Sequence, residues 1–369
     1  MVEPPHEPVS VSISVLLLYD VSEAIRLEQL RDLLGAPVQG KEPSFPYPTP
    51  EYVRFARPPV VESIAPVTLT DGRQLAGQVA YYEYGVLSFD LAFRFTGTWR
   101  DLARLVSRSV GDSALRRAID EMMRQRVERA RPALTKPNSE YLDEDYFVVH
   151  LPTIVQADGT PLPFERILQT HGEAIVQIVR ADDAPVSTSE SRDTLLSGMS
   201  YSPSDYFLPG WTAAFVYDTP EGARAAIQLV EYANSQLLEF RYYDEVLTRV
   251  LGQVYSTLDR STGFGRRWHL AREAARLNTI RLDVRELTER IDNSIKFLGD
   301  MYSSRFYRLT AAKVGVPDYR KLVEDKLRAA QDLYGFMMDQ FHQGRAFVLE
   351  LMVVIILLIE LFYFFKGKV

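Results

Sequence analysis

Across the first 217 residues, short apolar runs of period two alternate with runs of helical period. Val11 to Tyr19 (VSISVLLLY) alternates at its start and is β-branched, which predicts a strand. Val21 to Leu34 then carries Ala24, Leu27, Leu30 and Leu33 on one helical face and closes at Gly35. The Pro-rich stretch 37–59 predicts an extended loop. Val67 to Thr70 leads through Asp71-Gly72 to a hairpin of Gln78–Glu83 and Val86–Phe95, joined at Tyr84-Gly85. Thr98 caps a predicted helix to about Val106, and Asp112 starts another to about Arg131. Tyr146–Leu151 predicts a strand, Phe164–Gln169 a short helix and Ala174–Val179 another strand. The polar stretch 182–204 predicts a loop, and Trp211–Tyr217 a buried strand. The expected head, residues 1–217, is therefore α+β with a mixed sheet.

From Thr219 the period is helical. Thr219 and Pro220 form an N-cap and N1 pair, and the helix they start runs to about Leu258. Ser261 to Gly265 breaks it. A second helix follows to about Lys313, with Leu270, Leu277, Val284, Ile291 and Leu298 at seven-residue spacing. Ile280, Leu287 and Met301 take intervening positions, while Glu273 and Ser294 interrupt the set. That seam predicts long antiparallel helices in a coiled-coil-like stalk over residues 218–345. Gly315 ends the helix and Pro317 begins the next. Ala346 to Phe365 is apolar apart from Glu350 and Glu360, about the length that crosses a ~30 Å hydrocarbon core. The pattern thus predicts one C-terminal transmembrane helix at 346–365 and a tail of residues 366–369.

Composition narrows the chemistry. An apolar fraction of 46% and a charged fraction of 25% are those of a folded protein. A net charge of −7 gives no basic footprint for nucleic acid, and none is expected as a partner. With no cysteine, disulfides, thiol catalysis and thiolate metal sites are excluded. The five histidines, His6, His150, His171, His269 and His342, show no metal-ligand spacing, so neither metal nor cofactor is expected. Gly263-Phe264-Gly265 lacks the spacing of a phosphate loop and reads as a helix connection. Glu140 to Asp145 (EYLDED) lacks the glycine of a calcium loop and reads as a solvated turn. No nucleophile motif is present, and no catalytic residue is assigned.

Two polar features remain. In and just after the run from Glu231 to Asp244, the residues Glu231, Asn234, Leu238, Arg241/Tyr242 and Glu245 share one helical face, with Glu239 nearby. Glu231, Asn234, Glu239, Arg241 and Tyr242 form the candidate binding patch, either an internal hydrogen-bond network or the wall of a pocket. The segment 266–285 is basic and amphipathic. Its Arg266, Arg267, Trp268 and Arg272 form a candidate membrane-surface contact, the alternative being the solvated face of a coiled coil.

The stretches 231–247 (EYANSQLLEFRYYDEVL) and 287–309 (LTERIDNSIKFLGDMYSSRFYRL), the Pro317-Asp318 start and the apolar run 346–365 form one arrangement. It resembles that of the membrane-anchored family of domain of unknown function 155, related to the meiotic-nuclear-division proteins. The resemblance covers about residues 215–365 and implies a head, a helical region and a C-terminal membrane helix, with no catalytic motif to carry over. With no N-terminal signal, residues 1–345 would face the cytoplasm at a bacterial inner membrane. The expected function is a non-enzymatic, membrane-anchored scaffold or interaction protein. Its partners would be membrane lipid and either a second copy or another protein bound through the stalk. The alternative is a membrane-anchored enzyme or ligand-binding protein with a pocket between head and stalk near Glu231, Asn234 and Arg241.

Overall fold

A computed structural model describes residues 8–35, 58–69, 72–260, 278–282, 284–285 and 301–366. The chain divides into two compact units, Met1–Tyr242 with Ile291–Tyr319, and Tyr243–Arg290 with Arg320–Val369.

The first unit is built on β1 (Val9–Ile25), α1 (Leu27–Leu34), β2 (Val60–Thr68), β3 (Gln74–Tyr81) and β4 (Val86–Gly97). There follow α2 (Trp99–Ser109), α3 (Ser113–Ala130), β5 (Leu134–Pro152), α4 (Phe164–Arg180), α5 (Thr188–Leu196), β6 (Tyr206–Pro209) and β7 (Ala213–Asp218). Helix α6 (Pro220–Arg260) then begins, and α7 (Met301–Val314) completes the unit. Among the described residues the strands form one seven-stranded sheet in the order β2-β3-β4-β1-β5-β7-β6. The sheet is mixed: β5 and β7 run parallel, and the other neighbours antiparallel.

Period two decides the two faces. Val11, Ile13, Val15, Leu17 and Tyr19 of β1 pair with Phe95, Phe93, Leu91, Phe89 and Leu87 of β4 on one face. That face joins Leu102, Val106, Ile119, Met123, Ile175 and Ile178 of α2, α3 and α4 in a continuous apolar core. The other face carries Ser12, Ser14, Leu16, Leu18 and Asp20 of β1 beside Asp90 and Ser88 of β4 and His150 of β5. None of these joins the apolar core. The start of α6 and, at β6, α7 cover this second face, where Phe306 stacks on Phe207 at 3.7 Å.

Several sequence expectations need correction. The helix expected from Val21 starts only at Leu27, because β1 continues to Ile25 through a bulge at Asp20/Ser22 and pairs with β5. Glu140–Asp145 is not a turn but part of β5, hydrogen-bonded to β1. Phe164–Gln169 and Ala174–Val179 belong to one helix, α4, whose buried Ile167, Ile175 and Ile178 show the longer period. The polar stretch 182–204 contains α5, capped by Ser187, and β6 was not foreseen. Most of the 37–59 loop lies outside the described residues.

In the second unit, helix α8 (Val316–Lys366) starts beyond Gly315. Val323, Ala330 and Leu333 of α8 are buried, as are Ile280 and Val284. Lys326 donates to the Asp244 carboxylate at 2.5 Å and to Thr248 Oγ1 at 2.5 Å. Leu270, Leu277, Ile291 and Leu298 of the expected heptad seam lie outside the described residues. The structure corrects the transmembrane expectation: among the described residues no helix is long and apolar enough to cross a membrane. Glu350 and Glu360 divide the apolar run of α8 and leave nine uncharged residues between them. Nine residues make about 13.5 Å of helix, less than half of a ~30 Å core. The single-pass C-terminal anchor is therefore not supported. Neither is the placement of residues 1–345 on the cytoplasmic face of a bacterial inner membrane, which was argued from it. The apolar side chains from Met352 to Ile359, with Leu361 and Phe362, are exposed along this helix.

Candidate functional site

A strand edge and a helix start meet at the candidate site. Asp218 ends β7 and Thr219 precedes α6. Asp218 Oδ1 accepts from Thr219 N at 2.6 Å, and Thr219 Oγ1 accepts from Gly222 N at 3.2 Å. These bonds satisfy two amides that a helix start leaves open, so the sequence-level cap at Thr219 is formed. The first turns of α6 then run over the polar face of the sheet.

A groove of about 360 Å³ opens beside those turns, lined by Ser12, Ser14, Gln78, Asp90, His150, Arg224 and Gln228 among smaller residues. Four strands and one helix bring these polar side chains together. The pairing register explains the convergence, since Ser12 lies opposite His150, and Asp90 opposite Gln78. Gly77 borders the groove, and a Cβ there would overlap the Asp90 carbonyl. Such a groove is large enough for a small molecule.

Its electrostatics are mixed. Burial pushes the His150 imidazole below its ordinary range, and the hydrogen bond to Asp218 O opposes that. His150 is therefore a neutral donor and acceptor at neutral pH. Arg224 is exposed at the groove and makes no ion pair among the described residues. The Gln228 side-chain oxygen is buried with no hydrogen-bond partner. Burial of an unpaired polar atom costs about 1–3 kcal/mol, so a native protein that keeps one demands an explanation.

The groove continues as a polar layer under α6. Arg224, Gln228, Glu231 and Ser235 follow one another at helical spacing on this helix. Tyr84 and Ser235 share a 2.7 Å hydrogen bond. Burial and the Glu231 charge push Tyr82 far above the usual tyrosine range, and burial and Tyr232 do the same for Tyr84. Asp20 Oδ2, Ser88 Oγ and Asn234 Oδ1 are also buried without partners. Burial raises the Asp20 carboxyl to about 7.

The structure places the sequence-predicted patch inside this layer. Glu231, Asn234 and Glu239 are 4%, 0% and 5% exposed, so they are interior groups. Asn234 Nδ2 donates to Val230 O at 2.9 Å. Arg241 pairs with the Glu144 carboxylate and donates to Asp143 O at 3.4 Å, and Tyr242 is half-buried. Arg266, Arg267, Trp268 and Arg272 lie outside the described residues. Sequence reasoning missed Ser12, Ser14, Asp90, His150 and Arg224. The one available signal was serine at alternate positions of an otherwise apolar strand (Ser10, Ser12, Ser14).

On the other flank of α6 lies a cleft of about 210 Å³, walled by Tyr201, Asp205, Asp218, Tyr302, Ser303 and Phe306. Asp205 accepts from Tyr201 N and Ser202 N, both at 2.7 Å, and from Ser202 Oγ at 2.5 Å.

A family model described as the N-terminal domain of the uncharacterized protein MJ0711 matches residues 10–224. The chain belongs to this family. The matched region holds nearly the whole sheet and most of the groove's lining, from Ser12 to Arg224. The chain is also similar to the uncharacterized protein MJ0711 of Methanocaldococcus jannaschii. The two are 20% identical over 198 residues, which cover 53% of this chain and 60% of the relative. No solved structure matches it significantly. These matches lend no support to the resemblance with the domain of unknown function 155 family. That resemblance rested on residues 215–365, nearly all beyond the region the family model matches.

Proposed function

We propose that the protein is a non-enzymatic binding protein whose sheet-and-helix groove takes a small polar molecule bearing an acid group. The convergence of Ser12, Ser14, Gln78, Asp90, His150, Arg224 and Gln228 on one groove carries this reading. Arg224 offers a planar fork of donors to a carboxylate or phosphate. Asp90 and the serine hydroxyls accept from donor groups elsewhere on the same molecule. The buried Gln228 oxygen gives the ligand a further donor to supply. The His150 Nε2 is engaged by the Asp218 carbonyl, which leaves Nδ1 as an acceptor.

Thermal melting of the full-length chain with L-glutamate, glycerate and inorganic phosphate tests this. A ligand at a hundred times its Kd stabilises by about 2.7 kcal/mol. One probe should raise the Tm saturably, with Arg224→Ala abolishing the rise and Asp90→Asn weakening it. No rise with any probe, or a rise untouched by both substitutions, would overturn the proposal.

A second reading concerns partners. The exposed apolar side chains between Met352 and Phe362 favour an interaction role for α8, through a second copy or a protein partner. They lie all round the helix, so more than one covering helix is required. Sedimentation of the full-length chain over a hundredfold concentration range tests self-association; a monomer throughout removes it.

A further inference from the structure

The floor of the groove continues past its lining residues. Ser12 of β1 lines the groove, and its partners across the sheet are His150 of β5 on one side and Arg94 of β4 on the other. Cross-strand partners point to the same face and stand about 4.5–5.5 Å apart, so Arg94 rises on the groove's side of the sheet, one strand from Ser12. Its chain neighbours Phe93 and Phe95 point the other way and join the apolar core. The next row out pairs Ser10 with Thr96, whose Oγ1 donates to Ser10 Oγ at 3.4 Å. Hydroxyls and a guanidinium therefore cover this end of the floor.

Arg94 and Arg224 belong to different elements, one to the sheet and one to the second turn of α6. Both are exposed, and neither forms a hydrogen bond or an ion pair among the described residues. Asp90 stands four residues along β4 from Arg94, about 13 Å at 3.3 Å per residue, so its charge lies toward the other end of the floor.

The number of guanidiniums discriminates between acids. A carboxylate carries one charge, which a single fork of arginine donors already matches. A phosphate monoester carries about −1.5 to −2 charge at pH 7 and three acceptor oxygens, which match two forks and a hydroxyl. A chain of phosphates, as in nucleic acid, would meet a protein of net charge −7. A volume of about 360 Å³ suits a small ester.

We propose that the acid group taken by this groove is the phosphate of a small phosphate monoester, held by Arg94 and Arg224 above the Ser12 hydroxyl. The assignment rests on the groove being a ligand site, and adds to it Arg94 and the class of acid. A hydroxyl on the organic part of the ester donates to the buried Gln228 oxygen.

Isothermal titration of the full-length chain with glycerol 3-phosphate, glycerate and inorganic phosphate tests this, the first two differing chiefly in the acid group. Glycerol 3-phosphate should bind saturably, and about tenfold or more tighter than either of the others. Arg94→Ala should lower its affinity about tenfold or more and leave any glycerate binding within about twofold. If Arg94→Ala does not fold by circular dichroism, Arg94→Gln decides, since it keeps most of the stem and removes the charge. Glycerate or inorganic phosphate bound as tightly as the ester would overturn the assignment and leave the groove an acid-binding site. So would wild-type affinity in the Arg94 variant, or an equal loss for glycerate. Failure of all three probes would remove the groove reading and this assignment together.

Discussion

His150 Nε2 lies 3.0 Å from the carbonyl oxygen of Asp218. This contact ties the end of β5 to the end of β7, just before α6 begins. A carbonyl can only accept, so the imidazole proton sits on Nε2 and Nδ1 is left as an acceptor. The same carbonyl also accepts from Thr153 N at 3.0 Å and keeps that partner if the imidazole is removed. His150→Leu should therefore cost only about 0.5–1.5 kcal/mol at pH 8. Its pH dependence is the sharper readout. The folded-state pKa is depressed, so His150 contributes stability above its ordinary value near 6.5 that is lost as pH falls through the lowered one. Denaturant melts at pH 5 and pH 8 should show a smaller loss on acidification for His150→Leu than for the wild type.

Asp20 has the opposite sign. Its folded pKa is about 7 against an ordinary value near 3.8, so the folded state favours the protonated form. The associated stability is complete below about 4 and disappears as pH rises through about 7. Asp20→Asn replaces the charge with a neutral amide of the same shape. It should raise stability at pH 8 by about 2–4 kcal/mol and leave it nearly unchanged at pH 4. Equal effects at both pH values would contradict the burial argument.

Gly85 closes the β3–β4 turn with φ +96°, and a Cβ there would overlap the carbonyl of Ser22. Val21 N donates to Gly85 O at 3.0 Å, so the turn cannot withdraw from β1 without losing a backbone bond. Gly85→Ala combines backbone strain with a backbone clash and should destabilise by at least about 3 kcal/mol. Gly111, also at positive φ, has open space around it, and Gly111→Ala should cost about 1–2 kcal/mol, strain alone. Urea midpoints of the two variants distinguish the contributions.

Arg241 and Glu144 form the ion pair that joins α6 to β5, with side chains 33% and 14% exposed. Burial raises Glu144 even with the guanidinium opposing it, so desolvation outweighs the attraction there. Arg241→Ala should cost about 1–3 kcal/mol by leaving the carboxylate without its partner. Arg241→Ala combined with Glu144→Gln should recover most of that loss. A double-mutant cycle checks this: additive losses would mean the pair does not couple.

Local pattern by itself determined much of this protein. The β3–β4 hairpin at Gly85, the caps at Thr98, Asp112 and Thr219, the start of α6 and the break at Gly315 all follow from short-range rules of turn and cap chemistry. So did the mixed α+β character, because strand runs alternating with helices leave few ways to bury both. Tertiary pairing decided what short windows cannot hold. Glu140–Asp145 is strand because β1 offers it a partner, and α4 is one helix because its apolar face lies on a sheet the local sequence does not reveal. The candidate site shows the same division. Helical spacing brought out Glu231, Asn234 and Glu239, whose burial on α6 was settled only by the sheet beneath that helix. Ser12, Asp90 and His150 stand far apart in sequence, and only strand register sets them around one groove. Period and caps act within a few residues. A binding groove is made by residues that meet only once the sheet has formed.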